Sequence, residues 1–267
     1  MIPLDPYFER IGWTGPRAPT LEVLEGLCLR HTSSIPFENL DILLGRGISL
    51  DLPSLVDKLV TRRRGGYCFE QNSLMQSVLV QLGFRVTALG ARVRLGVPAD
   101  VSTPRTHMLL RVDLDDGPRV VDVGFGFTPT GPLRLQPGLE QKLHLSTYRL
   151  SREGSLWTLE IDHGPGPSHT FAPAYVFTEE PWLPIDYEVA NHFTSTHPRS
   201  HFVLGPLLMR HAPESGVRTI LRGREWSVRR GTDVQTHPVG GPDEVLSLLA
   251  ERFGLSFPEG TRFRGLE

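Results

Sequence analysis

The apolar residues of this chain repeat at one period before Gly83 and at another after it, so helices and strands must occupy separate stretches of the fold. Upstream, Thr20 can cap a segment that carries Leu21, Leu24, Leu27 and Cys28 on one helical stripe. Asp51 can cap the next, where Leu52, Leu55, Val56, Leu59 and Val60 fall at i, i+3, i+4, i+7 and i+8. That helix must stop before Gly65-Gly66, the strongest break in the region. A third helix is expected from Cys68 or Phe69 to Leu82, with Phe69, Met75, Val78, Leu79 and Leu82 turned inward and Gly83 ending it.

After Gly83 the segments are short, rich in valine and leucine, and divided by turn residues. Arg85 to Leu95, His107 to Asp113 and Arg119 to Val123 read as strands, with a hairpin turn at Asp116-Gly117. A second hairpin is expected from Leu145 to Ile161, turning around Glu153-Gly154. The middle third is therefore antiparallel, a small barrel or a curled sheet. Pro181 and Pro184 punctuate its exit, and the polar stretch ANHFTSTHPRSHF leads into the last third. There Val217 to Leu221 and Trp226 to Arg229 read as strands around Gly223, and a helix from Pro242 to Phe253 carries Val245, Leu248, Leu249 and Phe253 on one face. Helical, β and mixed parts in succession make an α+β fold.

Composition narrows the function classes. At 267 residues the chain buries a core without disulfides or a structural metal. The formal charge of −2 lacks the basic excess that nucleic acid or an anionic membrane surface demands. Two cysteines, Cys28 and Cys68, make no disulfide framework and fit a reducing compartment. The start MIPLDPYFERIG has no signal-peptide pattern, and no apolar run reaches the ~20 residues of a membrane span. A cytoplasmic enzyme or binding protein is expected, with no nucleic-acid or membrane partner.

Cys28 lies on an apolar helical stripe and belongs to the core. Cys68 differs: it follows Gly65-Gly66, which permits close approach of a substrate to the backbone, and it opens a helix, where free N–H groups and the dipole favour an anion. A nucleophilic thiol needs a base, and the base an orienting group. His107 opens one strand and Asp122 ends another, each a polar residue among apolar neighbours. Singly, they read as a satisfied core histidine and a turn carboxylate. Together the order Cys, His, Asp, with the cysteine at a helix start, resembles cysteine-protease geometry. The expected hairpin register opposes this: a turn at Asp116-Gly117 sets Asp122 opposite Arg111, about 13 Å along the strand from His107. Either a bulge or bend closes that gap, or the register is wrong.

The motifs RRGGYCFEQN (Arg63 to Asn72), IPFENLD (Ile35 to Asp41), THMLL (Thr106 to Leu110), VDVGFG (Val121 to Gly126) and STHPRSHF (Ser195 to Phe202) resemble the arylamine N-acetyltransferase family. The resemblance implies a helical bundle over residues 1-84, a β-barrel over 85-190, and a linker helix with an α/β lid over 191-267, on a cysteine-protease-like core. It implies acetyl-CoA as donor, an arylamine, arylhydrazine or hydrazide as acceptor, a thioester intermediate, and a place in xenobiotic metabolism. The family's catalytic residues fall on Cys68, His107 and Asp122. The same resemblance puts Phe37, Phe125 and Phe202 at the acceptor pocket, and Thr103 and Gly126 beside the cofactor. Where some relatives carry a linker tyrosine, this chain has Phe193.

Other signals carry less. Arg62 and Arg63 fit a helix C-terminus, whereas Arg64 is expected to pair with Glu38 and brace the cysteine loop. The run Gly124 to Gly131 fails the G-x-G-x-x-G pattern at Pro129 and lacks a Walker lysine. His197 and His201, spaced i, i+4 without a further ligand motif, give no metal site. Rival readings keep the fold with another acyl donor, as in an amide synthase, or make the chain a cysteine hydrolase or transglutaminase-like enzyme. A non-catalytic module is the third, and an oligomer is compatible with all of them.

Overall fold

A computed structural model describes residues 1–162 and 170–266. The helical segment comprises α1 (Leu4–Ile11), α2 (Leu21–Ser34), α3 (Leu40–Leu43), α4 (Leu52–Leu55), which runs on as a π-helical turn over Val56–Thr61, and α5 (Cys68–Gln81). The expected caps are in place: Thr20 accepts from the Val23 N–H at 3.4 Å, and Asp51 from that of Ser54 at 2.9 Å. Gly83 sits at φ 89°, the left-handed conformation that ends α5 without a Cβ penalty. Val23, Leu24, Leu27, Leu59, Phe69, Met75, Val78 and Leu79 bury against one another, and Cys28 lies among them.

Eight antiparallel strands follow, in the order β4-β3-β2-β1-β8-β7-β6-β5. They are β1 (Arg85–Val93), β2 (Arg105–Leu114), β3 (Gly117–Val121), β4 (Leu133–Arg134), β5 (Glu140–Lys142), β6 (Thr147–Glu153), β7 (Leu156–Asp162) and β8 (Phe171–Pro181). The sheet curls into a nearly closed barrel, and a side chain joins its edges. Gln141 on β5 accepts from the Arg134 N–H of β4 at 2.7 Å and donates to the Arg134 carbonyl at 3.1 Å. A side-chain amide thus does what a ladder pair would do. One face of the curl encloses Leu89, Ala91, Leu109, Val120, Leu150, Leu159 and Tyr175; the other presents Ala88, Met108, Leu110 and Val121 to the helices. This is the alternation a strand imposes.

The first hairpin departs from the expected register. Leu114 pairs with Gly117 and Arg111 with Val120, so the turn is Asp115-Asp116 and not Asp116-Gly117. Gly117, at φ 116°, takes the first position of β3 instead of a turn position. Along this register Asp122 comes opposite Leu109, about 7 Å from His107 rather than 13 Å. The chain also leaves the strand after Val121, and β2 carries an irregularity where Ala91 pairs with His107 but Arg92 with Arg105. The register and the chain's exit from the strand at Asp122 close the gap, while the irregularity lies beyond His107, at Thr106. The second hairpin turns at Gly154-Ser155, one residue later than expected, since Glu153 pairs with Leu156.

The polar stretch after the barrel is α6 (Pro184–Thr196), which begins one residue after Leu183 and runs unbroken across residues 190–191. Its polarity hid it: Tyr187, Ala190, Asn191 and Thr194 are its buried residues, while Ile185 and Val189 face out. Then come α7 (His201–Leu204), a four-stranded antiparallel sheet in sequence order, β9 (Leu207–Ala212), β10 (Val217–Arg222), β11 (Glu225–Arg230) and β12 (Asp233–Pro238), and α8 (Pro242–Leu248). The expected closing helix continues through a π-helical turn, Leu249–Phe253. Val245, Leu249 and Phe253 pack with Leu40, Leu43, Leu208 and Leu221, tying this last part to the helical segment. Phe37 and Met209 exchange backbone hydrogen bonds at 2.9 and 3.0 Å across the same junction.

Candidate active site

Cys68 is the first residue of α5, and the loop before it is shaped by the chain's own packing. Gly66 donates to the Pro36 carbonyl at 3.3 Å, and its carbonyl accepts from the Glu38 N–H at 3.1 Å. A Cβ at Gly65 would run into the Pro36 backbone, and one at Gly66 into Glu70. The glycines therefore allow the loop to pack against the Pro36 backbone and the Glu70 side chain.

A buried chain of charges holds this loop. Arg64 donates to Glu38 through Nε at 3.0 Å and Nη2 at 2.6 Å, and to Asp41 through Nη1 at 3.3 Å. Lys58 bridges Asp41 at 2.8 Å and Glu70 at 2.7 Å. Glu70 accepts from the Tyr67 N–H at 3.0 Å, capping α5 one residue before Cys68. Burial disfavours the Lys58 and Arg64 cations, but the surrounding carboxylates outweigh it and hold both protonated. Arg62, in contrast, pairs with Asp57 at the surface. Arg63 takes a left-handed φ of 52° as the backbone turns into the loop.

The structure brings Cys68, His107 and Asp122 together. His107 Nε2 lies 2.7 Å from Asp122 Oδ2, with both side chains removed from solvent. The bulge ahead of His107 exposes the Thr106 carbonyl, and the Cys68 thiol donates to it at 3.7 Å. With Nε2 engaged by Asp122, Nδ1 is the nitrogen left for the Cys68 sulfur, which interacts with the ring. Burial works against the imidazolium, but the Asp122 charge, its hydrogen bond and the Cys68 sulfur prevail, and His107 is held up at about 10.

Several residues without an assigned role complete the site. Asn72, one turn beyond Cys68, donates to the Met108 carbonyl at 2.8 Å and to Asp122 Oδ1 at 3.0 Å, and accepts from the Val123 N–H at 3.1 Å. Gly124 packs so closely that a Cβ there would lie 2.7 Å from Cys68 Cα. Tyr175 on β8 places its ring 5.0 Å from that of His107, and burial, then the neighbouring Asp122 carboxylate that its hydroxyl faces, hold the phenol protonated. A polar residue one helical turn after a candidate nucleophile was the available signal for Asn72. Nothing local marked Tyr175, because β8 reaches the site through a long-range pairing with β1, where Tyr175 lies opposite Val93.

The expected pocket residues divide by position. Phe125 is half-buried and meets His107 edge-on, with ring centroids 5.1 Å apart. Phe37 and Phe202 are 6.0 Å apart, and Phe202 packs edge-on against Tyr67, the neighbour of Cys68. Gly126, at φ 93°, lies under Met209, where a Cβ would come within 3.1 Å of the sulfur. Thr103 is bound to its own rim of the barrel, donating to the Val93 carbonyl at 2.9 Å. Phe193 stacks on His197, and His201 lies tilted against Phe202. Among the described residues no cluster of three metal-ligating side chains occurs, and Cys28 and Cys68 are both free thiols.

Comparison with known proteins places this site in context. A family model described as N-acetyltransferase matches residues 20–261. The chain is similar to the arylamine N-acetyltransferase of Escherichia coli (strain K12), with 39% identity over 94% of this chain and 88% of that protein. Its structure is similar to that of the Mycobacterium tuberculosis arylamine N-acetyltransferase, with TM-score 0.92 and 39% identity over 99% of this chain and 100% of the other. It is similar also to the Mycobacterium marinum arylamine N-acetyltransferase solved in complex with CoA, with TM-score 0.89, 38% identity, and coverage of 95% and 93%.

Proposed function

The chain belongs to the arylamine N-acetyltransferase family, and we propose that it moves an acetyl group from acetyl-CoA to an arylamine, arylhydrazine or hydrazide by way of an acetyl-Cys68 intermediate. The observation that carries this reading is His107 held between Asp122 and Cys68, with the sulfur at the start of a buried helix.

In the first half-reaction the Cys68 thiolate attacks the thioester carbonyl carbon. The new C–S bond forms, the bond to the CoA sulfur breaks, and the departing thiolate takes the proton of the His107 imidazolium. Sulfur replaces sulfur, so little bond energy changes. Backbone N–H groups at the start of α5 are suited to the tetrahedral oxyanion, a kind of contact worth about 3–4 kcal/mol per donor in other acyl transfers. Having given up that proton, His107 is a neutral base in the acetyl-enzyme. In the second half-reaction the amine nitrogen attacks the acetyl carbon, its proton passes to His107, and the C–S bond breaks to restore the thiolate–imidazolium pair.

Asp122 fixes the ring so that Nδ1 faces the sulfur. Phe37, Phe125 and Phe202 line the acceptor side, where aromatic faces favour an aryl ring. Thr103 and Gly126 lie along the donor side, and the part after α6 acts as a lid. Arg64 and Glu38 brace the cysteine loop. Initial rates at varied acetyl-CoA and fixed arylamine concentrations should give parallel double-reciprocal lines. Intersecting lines would mean that donor and acceptor are bound together, contrary to this scheme.

A further inference from the structure

We infer that Asn72 is a positioning residue that sets the geometry of all three triad members at once, an inference that rests on the acyl-transfer reading above. Asn72 is fully buried on the helix that begins with Cys68, one turn further along. Its amide spends both N–H bonds, on Met108 O at 2.8 Å and Asp122 Oδ1 at 3.0 Å, and its oxygen accepts from Val123 N at 3.1 Å. The orientation is unambiguous: a flipped amide would set its oxygen against two acceptors and its NH2 against a donor.

Each of these partners belongs to the triad's frame. Met108 follows His107 on β2, so the Asn72 bond fixes that strand against α5 immediately beside the base. Asp122 has one oxygen on His107, and a carboxylate so held can still rotate about its Cβ–Cγ bond. The donors Asn72 Nδ2 and Gly124 N, each 3.0 Å from Oδ1, stop that rotation and leave Oδ2 for the imidazole. Val123 N, the third contact, pins the backbone directly after Asp122. One rigid amide therefore connects the helix of the nucleophile, the strand of the base and the carboxylate of the orienting group. The ordinary alternative is a satisfied core amide, whose loss lowers stability and nothing more.

Full-length Asn72→Ala and Asn72→Ser separate the two. Serine keeps a hydroxyl for one neighbour, so it remains folded where alanine is harsher, but it cannot reach both Met108 and Asp122. Two readouts avoid any dependence on acetyl-CoA: the pH profile of Cys68 alkylation by iodoacetamide, and the protonation of His107 followed by 15N NMR of its ring. In each folded variant, alkylation at pH 7 should fall about tenfold as the thiolate fraction drops toward that of a free thiol, and His107 should lose its proton at lower pH than in wild type. A lower melting temperature with the wild-type alkylation profile and His107 titration would overturn the inference. Wild-type protein incubated with acetyl-CoA keeps the two claims apart: absence of acetyl-Cys68 there sinks the acyl-transfer reading, while its presence leaves the Asn72 outcome to decide this one.

Discussion

Among the described residues, His31, His107 and His211 are buried, and they are not held in the same protonation state. His31 sits between Tyr7 Oη at 2.9 Å and Gln71 at 3.2 Å, with no acid against it, and burial pushes it down to about 3. His211 is likewise pushed down to about 3 by burial, then by the Arg218 charge. His107 is raised because Asp122 faces it. The sign of the stability effect follows from these directions. An unfolded histidine titrates near 6.5, so His31 and His211 stabilise the fold fully above that pH, and the contribution falls as pH drops toward 3. Each should cost about 1.4 kcal/mol per pH unit in that window. His107 acts oppositely: its contribution is complete below 6.5 and is lost as pH rises toward 10. Urea unfolding of wild type and His211→Gln at pH 7, 6 and 5 checks the acid limb. The variant should show the shallower decline; identical slopes would contradict the assignment of a neutral buried His211.

At the scale of elements, the decisive contact is between α5 and the turn after β3. Gly124 lets that turn lie directly against the Cys68 backbone. Gly124→Ala inserts a methyl where there is no space, and the overpacking should cost about 1–3 kcal/mol of stability. Because the displaced segment begins at Asp122, acetylation of Cys68 should slow by more than tenfold even in the folded fraction, by the argument that small misplacements are expensive. Stopped-flow acetylation beside a thermal melt measures both. An unchanged rate with an unchanged melting temperature would show that the turn yields freely. The elements around this contact were unequally legible in the sequence. Both ends of α5, its buried face and the cap of α2 follow from residue type and period. The hairpin register did not, because Asp115, Asp116 and Gly117 are all turn formers and only pairing along the whole strand selects among them. The helix α6 was legible only through the family resemblance, which implied a linker helix, since its buried face is carried by Tyr187, Asn191 and Thr194 rather than by an apolar stripe.

At the scale of the molecule, Cys68, His107 and Asp122 come together because two structural classes meet. The helical segment supplies Cys68 and Asn72, the curled sheet and the turn after it supply His107 and Asp122, and β8, paired to β1, contributes Tyr175. Motifs in the chain pointed to the three catalytic candidates and to the pairing of Arg64 with Glu38. They did not point to what aligns them, because Asn72, Gly124 and Tyr175 matter only through partners 36 to 68 residues away in sequence. The same architecture separates the two thiols. Cys28 lies deep among apolar side chains, where burial pushes its thiol up, while Cys68 lies against the His107 ring. The most direct test of this account is the mass of the protein after brief exposure to acetyl-CoA, read on peptides containing each cysteine. One acetyl group should appear on the Cys68 peptide and none on that of Cys28, and adding an arylamine should discharge it to the acetylated amine. An unmodified Cys68 peptide, or equal labelling in Cys68→Ala, would contradict the account.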